Sequence, residues 1–456
     1  MKFLDRSLYL ATTLSCLSLF YPNIITAQIV PDATLPNNSI AIPDSKSIRI
    51  EGGTTAGGNL FHSFQEFSVP TGSEAYFNNA VDIQNIFSRV TGKNISNIDG
   101  LIRANGTANL FLINPNGIIF GQNAQLNIGG SFFGSTASSI RFSDGSEFST
   151  TNPTAPSLLT INVPIGLQFD ANPGSIVNRS QATAQINLPT LPIPFLLDNK
   201  VGLAVRPGQT LALVGGDIQI NGGYLTASTG QIILGSVASP GLVSFTPTPF
   251  GLALNYDSIP NFGNIEISKV ALLNTSGLGA GKVDIRGGNV TLSSVRIYGL
   301  TLGNIDGRGI DINAQNLRVE RGAQIFTPTL GDGLGGNINI RATDSVEITG
   351  LGLEGYQRFY NQYLASGTLN PFDPQIVLLT GTVGRGDAGD INIEAGRLLV
   401  RDGVVGGSGT LGAGNGGNLN IRANTVEIVS SAINNGTTKE STGQGGSINV
   451  EAQRLI

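Results

Sequence analysis

Carboxylates able to act as acid and base, or to hold a metal, recur through the second half of the chain as Asp284, Asp311, Glu347 and Glu427. Secreted enzymes that act on acidic polysaccharides need such groups clustered on one face with Arg or Lys. Here each stands alone between apolar neighbours: Val283-Asp284-Ile285, Ile310-Asp311-Ile312, Val346-Glu347-Ile348, Val426-Glu427-Ile428. Two-residue alternation is the pattern of a strand with one solvated face. His62, the sole histidine, sits among Leu60, Phe61 and Phe64, and reads as packing rather than as a base. The Gly-rich run Gly412–Asn420 carries Asn where a calcium-binding nonapeptide repeat needs Asp. Cys16 is the only cysteine, so disulfides and Cys-based metal sites are excluded from a chain that has lost its leader. Arg385-Gly386-Asp387 spells a tripeptide that a Gly-rich array produces by chance. The expectation is a protein without catalytic residues, metal or cofactor, with a secreted polysaccharide-degrading enzyme as the rival.

The elements carrying these residues are set by a repeat. Gly, a polar residue and an apolar–polar–apolar triplet recur at Val283, Ile310, Ile338, Ile391, Leu419 and Ile448, in steps of 27, 28, 53, 28 and 29 residues. About 27 extended residues trace a loop ~90 Å around, which closes once per repeat and lands one strand spacing, ~4.8 Å, above its start. The pattern predicts an all-β chain, a right-handed parallel β-helix built as a single-stranded solenoid with an N-terminal cap. Leu317-Arg318-Val319, Val346-Glu347-Ile348, Leu398-Leu399-Val400 and Val426-Glu427-Ile428 keep a common phase, giving at least two strands per coil. A propeller blade needs ~40–50 residues and is too long.

The chain has 456 residues with 62 Gly, 12% charged and 40% hydrophobic, which excludes disorder. A net charge of −5 argues against nucleic acid as a partner. Lys2 and Arg6, the apolar run Leu8–Phe20 and Ile25-Thr26-Ala27 read as a signal peptide over 1–27. No other stretch reaches the ~20 apolar residues of a spanning helix, so no transmembrane segment is expected in the mature chain.

Residues 28–145 do not show the 28-residue register clearly but hold the densest motifs. Gly58-Asn59-Leu60-Phe61-His62-Ser63-Phe64-Gln65-Glu66-Phe67 packs three Phe into an alternating run. Asn114-Pro115-Asn116-Gly117 is a strong turn between apolar strands, and Ile128-Gly129-Gly130-Ser131-Phe132-Phe133-Gly134-Ser135-Thr136-Ala137 follows it. In type, order and spacing these three blocks resemble the secretion domain of two-partner secretion exoproteins, the filamentous haemagglutinin N-terminal domain. The resemblance covers most of residues 30–145. It implies a capped right-handed β-helix, recognition by an outer-membrane barrel transporter, and a secreted or cell-surface destination in a Gram-negative cell. It also implies an adhesin-like exoprotein and places the secretion motif on Asn114, Pro115, Asn116 and Gly117. From the residues alone, that turn either fixes strand register or contacts the transporter.

The domain reading is 28–145 as the secretion core, 146–255 as its continuation with a Pro-rich excursion at 181–200, and 256–456 as regular repeats. The doubled step spans Leu351 to Thr380 and gathers Tyr356, Phe359, Tyr360, Tyr363 and Phe372. It reads as a coil plus a side-covering loop, or as a protruding aromatic loop that stacks on a surface glycan or receptor. After Ile448 nothing resembles a polar cap, so the last coil is expected to be open, in a longer exoprotein or against another molecule.

Overall fold

A computed structural model describes residues 29–153, 163–185, 200–366 and 373–456. The expected leader over 1–27, most of the Pro-rich excursion and Phe372 lie outside the described residues.

The chain is all-β, with three parallel ladders, within the expectation of at least two strands per coil. The first runs from Asn59–Phe67 through Asn85–Val90, Asn109–Ile113, Phe132–Ser135, Thr210–Gly215, Gln231–Ser236 and Lys282–Arg286. It continues through the front halves of Gly309–Glu320, Ile338–Thr349, Ile391–Arg401, Leu419–Val429 and Ile448–Leu455. The second passes from Ser96–Ile98 through Ile118–Phe120, Ile176–Asn178, Ile218–Asn221, Ile265–Ser268 and Asn289–Ser293 into the rear halves of the same long strands. The third includes Tyr224–Thr226, Leu272–Asn274, Arg296–Tyr298, Gln324–Phe326 and Ile376–Leu379. At the N-terminal end, Ile29–Pro31 and Thr54–Ala56 pair antiparallel with Asn59–Phe67, and Ser39–Asp44 pairs antiparallel with Ser47–Gly52.

Parallel register puts equivalent residues above one another. Leu60, Ile86, Leu110, Phe132, Leu211, Ile232 and Val283 form one inward column that continues through Ile310, Ile338 and Ile391, all in a single core. The N-terminal rungs therefore share the register of the repeats. Their steps, 26, 24 and 22 residues from Leu60 to Phe132, are simply shorter.

One position further along the strands is an outward column: Phe61, Phe87, Phe111, Phe133, Ala212, Ile233, then Asp284, Asp311, Asn339, Asn392, Asn420 and Asn449. The four Phe rings stack with centroids 5.2, 5.0 and 4.5 Å apart. They are buried because an antiparallel sheet of Glu147–Ser149, Ser139–Phe142, Pro164–Phe169, Gly241–Thr248 and Gly251–Asn255 lies over them. Phe142 meets Phe87 edge-on at 5.2 Å, Phe148 meets Phe61 at 5.1 Å, and Phe245 reaches Phe133 at 5.9 Å. Where this cover ends, the column turns polar. Amides then link rung to rung, Asn339 to Asp311 (2.7 Å), Asn392 to Asn339 (2.8 Å), Asn420 to Asn392 (2.8 Å) and Asn449 to Asn420 (2.9 Å).

Ile338 pairs directly with Ile391, so the 53-residue step is one rung with an insertion. Tyr356, Phe359, Tyr360 and Tyr363 of the insertion stand on an α-helix, α1 (Leu353–Ser366), rather than the expected loop. Tyr356 and Phe359, three apart and so on one side of the helix, pack on an outward cluster containing Leu272, Tyr298 and Phe326. Ile448–Leu455 is exposed along its length.

The cover fixes where a stable unit can end. A chain cut after residue 145 leaves the Phe column open and should bind a hydrophobic dye and unfold without cooperativity. A chain cut after residue 292 should give a single cooperative urea transition.

Candidate functional site

The chain must bend between Ile113, at the end of a first-ladder strand, and Ile118, at the start of a second-ladder one. Asn114–Gly117 makes that corner. The Asn114 carbonyl accepts from Gly117 N (3.1 Å), closing a β-turn that Pro115 presets. Asn114 Oδ1 accepts from Asn116 N (3.0 Å) and Asn116 Nδ2 (2.8 Å), an Asx turn on the same four residues. Its Nδ2 donates to Asn94 O and Ser96 Oγ, both at 3.0 Å, in the preceding rung, and Asn116 Nδ2 donates to Gly92 O (2.8 Å). From the following rung, Gly174 N donates to the Pro115 carbonyl at 2.9 Å. Gly117 holds φ +131°, and a Cβ at Gly174 would run into the Asn116 carbonyl group, so both positions call for glycine.

The Asn114 side chain is fully buried, and only Pro115 and Asn116 are partly exposed. The corner thus works by tying three rungs into register. Asn178 and Asn274, both buried, repeat the device, each accepting from the backbone of the Ser two residues on. The Asn-x-Ser spacing is the signal of this device in the sequence.

A second missed residue is Arg89, 1% exposed. Its guanidinium donates to Ser63 Oγ (2.8 Å), Thr34 Oγ1 (2.9 Å), and the carbonyls of Ser149 (2.6 Å) and Pro153 (3.1 Å), and lies 4.3 Å from the Phe148 ring centre. Burial lowers its pKa to about 10, against the pull of Asp32, so it stays charged at neutral pH. Burial pushes the Asp32 carboxyl up, and hydrogen bonds from Thr34, Thr91 and Ser63 outweigh it and hold it below the ordinary value. Together the pair joins the N-terminal cap, the first rungs and the cover sheet.

His62 also belongs to the cap. It is buried, 3.0 Å from Ser39 Oγ through Nδ1, with Phe64 and Phe77 around it, and burial lowers its pKa to about 3. The repeat carboxylates are tied between neighbouring rungs. Asp311 meets Lys282 Nζ (2.5 Å), Glu347 meets Arg401 (2.8 Å) and Arg318 (3.4 Å), and Glu427 meets Arg397 (3.0 Å). Asp284 titrates at about 6, raised by burial and then by Asp311 beside it. Asp387 accepts from Asn415 N (2.7 Å), so the Arg385-Gly386-Asp387 tripeptide is one tile of a stacked turn. Among the described residues no group of three His, Cys, Asp or Glu could hold a metal ion, and no helix is long and apolar enough to cross a membrane.

On α1 the Tyr356 and Tyr360 rings lie nearly parallel, 10° apart with centroids at 6.2 Å. With Phe359 they wall a groove of about 400 Å³ lined also by Ile376, Leu379, Val405, Leu411 and Gly407. Tyr363 stands on the same helix.

Residues 27–292 match the family model of the TPS secretion domain. Among solved structures, the crystal structure of the HMW1 secretion domain from Haemophilus influenzae is similar at 16% identity, over 92% of this chain and 100% of that one, with a TM-score of 0.40. The crystal structure of the filamentous hemagglutinin secretion domain is similar at 12% identity, over 93% of this chain and 99% of that one, with a TM-score of 0.33. No curated protein matches.

Two measurements check the site. Asn114→Ala removes the partner of the buried Ser96 hydroxyl in the preceding rung and of Asn116 N in the corner, and should cost about 1–3 kcal/mol in urea unfolding. Asn116→Ala, which removes an amide at a half-exposed position, should cost less. His62 has a folded pKa depressed below its unfolded 6.5, so the unfolded chain takes up the extra proton. Stability should therefore be full above pH 6.5 and fall as pH drops toward 3, by about 2 kcal/mol at pH 5 from this residue. In His62→Asn that part of the slope should vanish.

Proposed function

This chain belongs to the TPS secretion domain family, and we propose that it is the exported partner of a two-partner secretion system, carried through the outer membrane by a dedicated barrel transporter. Members of the family are exported across the outer membrane and are secreted or cell-surface proteins. The observation that carries the reading is the match over residues 27–292, which contains the Asn114–Gly117 corner, the Phe column and its cover. The three ladders are those of a right-handed parallel β-helix closed at its N-terminal end by the antiparallel strands. The hand follows from strand twist, which favours right-handed crossovers between parallel strands.

In this reading the corner motif serves export through folding. Asn114 has no atom left to meet a partner once the rungs close, so its part is to set the register in which the emerging chain locks. The partly exposed Pro115 and Asn116 are what a transporter could touch. The exported rod is adhesive and non-catalytic. Support for the second point is the pairing of Asp311, Glu347 and Glu427 with Lys or Arg on neighbouring rungs, which leaves them poorly placed as acid or base.

In cells carrying the transporter, Asn114→Ala and Asn116→Ala should leave processed chain in the periplasm, while Asp311→Ala should reach the surface normally. Surface yield is read by protease shaving and immunoblot. Normal yield of both turn variants, or export undiminished when the transporter is deleted, would overturn the reading.

A further inference from the structure

We propose that the corner between the third and first ladders is a self-association surface, on which a second copy of this chain docks antiparallel. The inference goes beyond the export reading and does not rest on it.

One repeated turn builds that corner. Thr301, Thr329, Thr382 and Thr410 are buried and stack through parallel bridges that begin at Gly277. The residue after each stacks in turn: Leu302 N donates to Gly277 O, Leu330 N to Thr301 O, Val383 N to Thr329 O and Leu411 N to Thr382 O. With Leu278 they make a line of aliphatic side chains, in which Leu278, Leu330 and Val383 are exposed and Leu302 and Leu411 half-buried. At one strand spacing per rung the line is ~19 Å long. Leu330 and Val383 lie at its middle, with two further rungs of the same corner on either side.

Two residues on runs a second exposed column, Asn304, Asp332, Arg385 and Ala413. It keeps the same phase, because Asp332 N donates to Gly303 O, Arg385 N to Gly331 O and Ala413 N to Gly384 O. The Asp332 and Arg385 side chains stand in neighbouring rungs, yet they pair neither with each other nor with another described residue. Other charges of the repeats, Asp311, Glu347 and Glu427, are tied between rungs.

A straight line with the rise of a ladder is matched by another of the same rise, which a second copy supplies. A two-fold axis crossing the line between Leu330 and Val383 reverses the order of rungs. Leu330 then faces Val383 of the second copy, Leu302 faces Leu411, and Asp332 faces Arg385 once on each side of the axis. A parallel pairing would set Asp332 on Asp332 and Arg385 on Arg385, so the charges select the antiparallel one. A contact this short falls below the ~1,200 Å² of a stable interface, and its Kd should be roughly 10 μM to 1 mM.

Sedimentation of the purified chain over a concentration series should show reversible dimers. Val383→Asp sets a carboxylate against Leu330 and should weaken them about tenfold or more. Asp332→Arg and Arg385→Asp each bring like charges together on both sides of the axis, and each should weaken the dimer about tenfold. An equimolar mixture of those two variants restores both opposite-charge pairs and should recover the dimer, as should the double variant. Melting temperatures should stay at the parent value, and recovery on mixing decides the matter even where one variant is less stable. A chain that stays monomeric to about 1 mM, dimers indifferent to both charge changes (as end-to-end pairing through Ile448–Leu455 would be), or no recovery on mixing would each overturn the proposal. So would a monomer that takes up a hydrophobic dye and loses it in Val383→Asp, which would assign the line to an unlike apolar partner.

Discussion

In a parallel ladder whatever one strand presents outward, the next presents directly above it at one strand spacing. The outward column that starts at Phe61 shows what this constraint demands. Four stacked Phe rings make a continuous apolar strip, each pair contributing about 0.5–1.5 kcal/mol beyond its buried area. Such a strip is stable only under a cover, and residues 139–169 and 241–255 supply it. From Asp284 onward the same column is polar, and its side chains satisfy one another along the ladder. One position in the repeat thus divides the molecule into a covered half and an open half.

The boundary leaves a trace in the electrostatics. Tyr256 follows the last cover strand, and its hydroxyl, buried near Asp284, is pushed up by burial and then by that carboxylate. Asp284 is held above the ordinary carboxylate value by the same burial. Being raised in the folded chain, Asp284 favours the fold at low pH and loses that contribution as pH rises from 3.8 toward 6. His62 works in the opposite direction across an overlapping range, so these two contributions to the pH profile oppose one another.

The third ladder treats its own outward residues in the same way. Tyr298 and Phe326 are buried although they face out from the rungs, and α1 lies against them. Cover sheet and helix all come from insertions between ladder strands, two that together form five strands and one that forms a single helix. Beyond the helix the column passes through Leu379 to Gly407.

The sequence alone determined the features that depend on local periodicity. Two-residue alternation after Gly, repeated at 27–29 residues, is set by the strand period and the rung length, and it identified the all-β stack and its inward residues. The Asn114–Gly117 turn was legible because Pro and Asn act within four residues. What the tertiary structure decided involves contacts across long separations. The N-terminal rungs were hidden because their steps shorten and insertions interrupt them, so no fixed period exists to be read. The Phe column was visible only as scattered Phe, since its cover arrives up to 184 residues later in the chain, from Phe61 to Phe245. Arg89 could not be recognised as a clamp, because Thr34, Ser149 and Pro153 converge on it only after folding. Nor could α1, whose Tyr-rich sequence becomes a helix with one side resting on Tyr298 and Phe326, an apolar face that exists only once the third ladder has stacked.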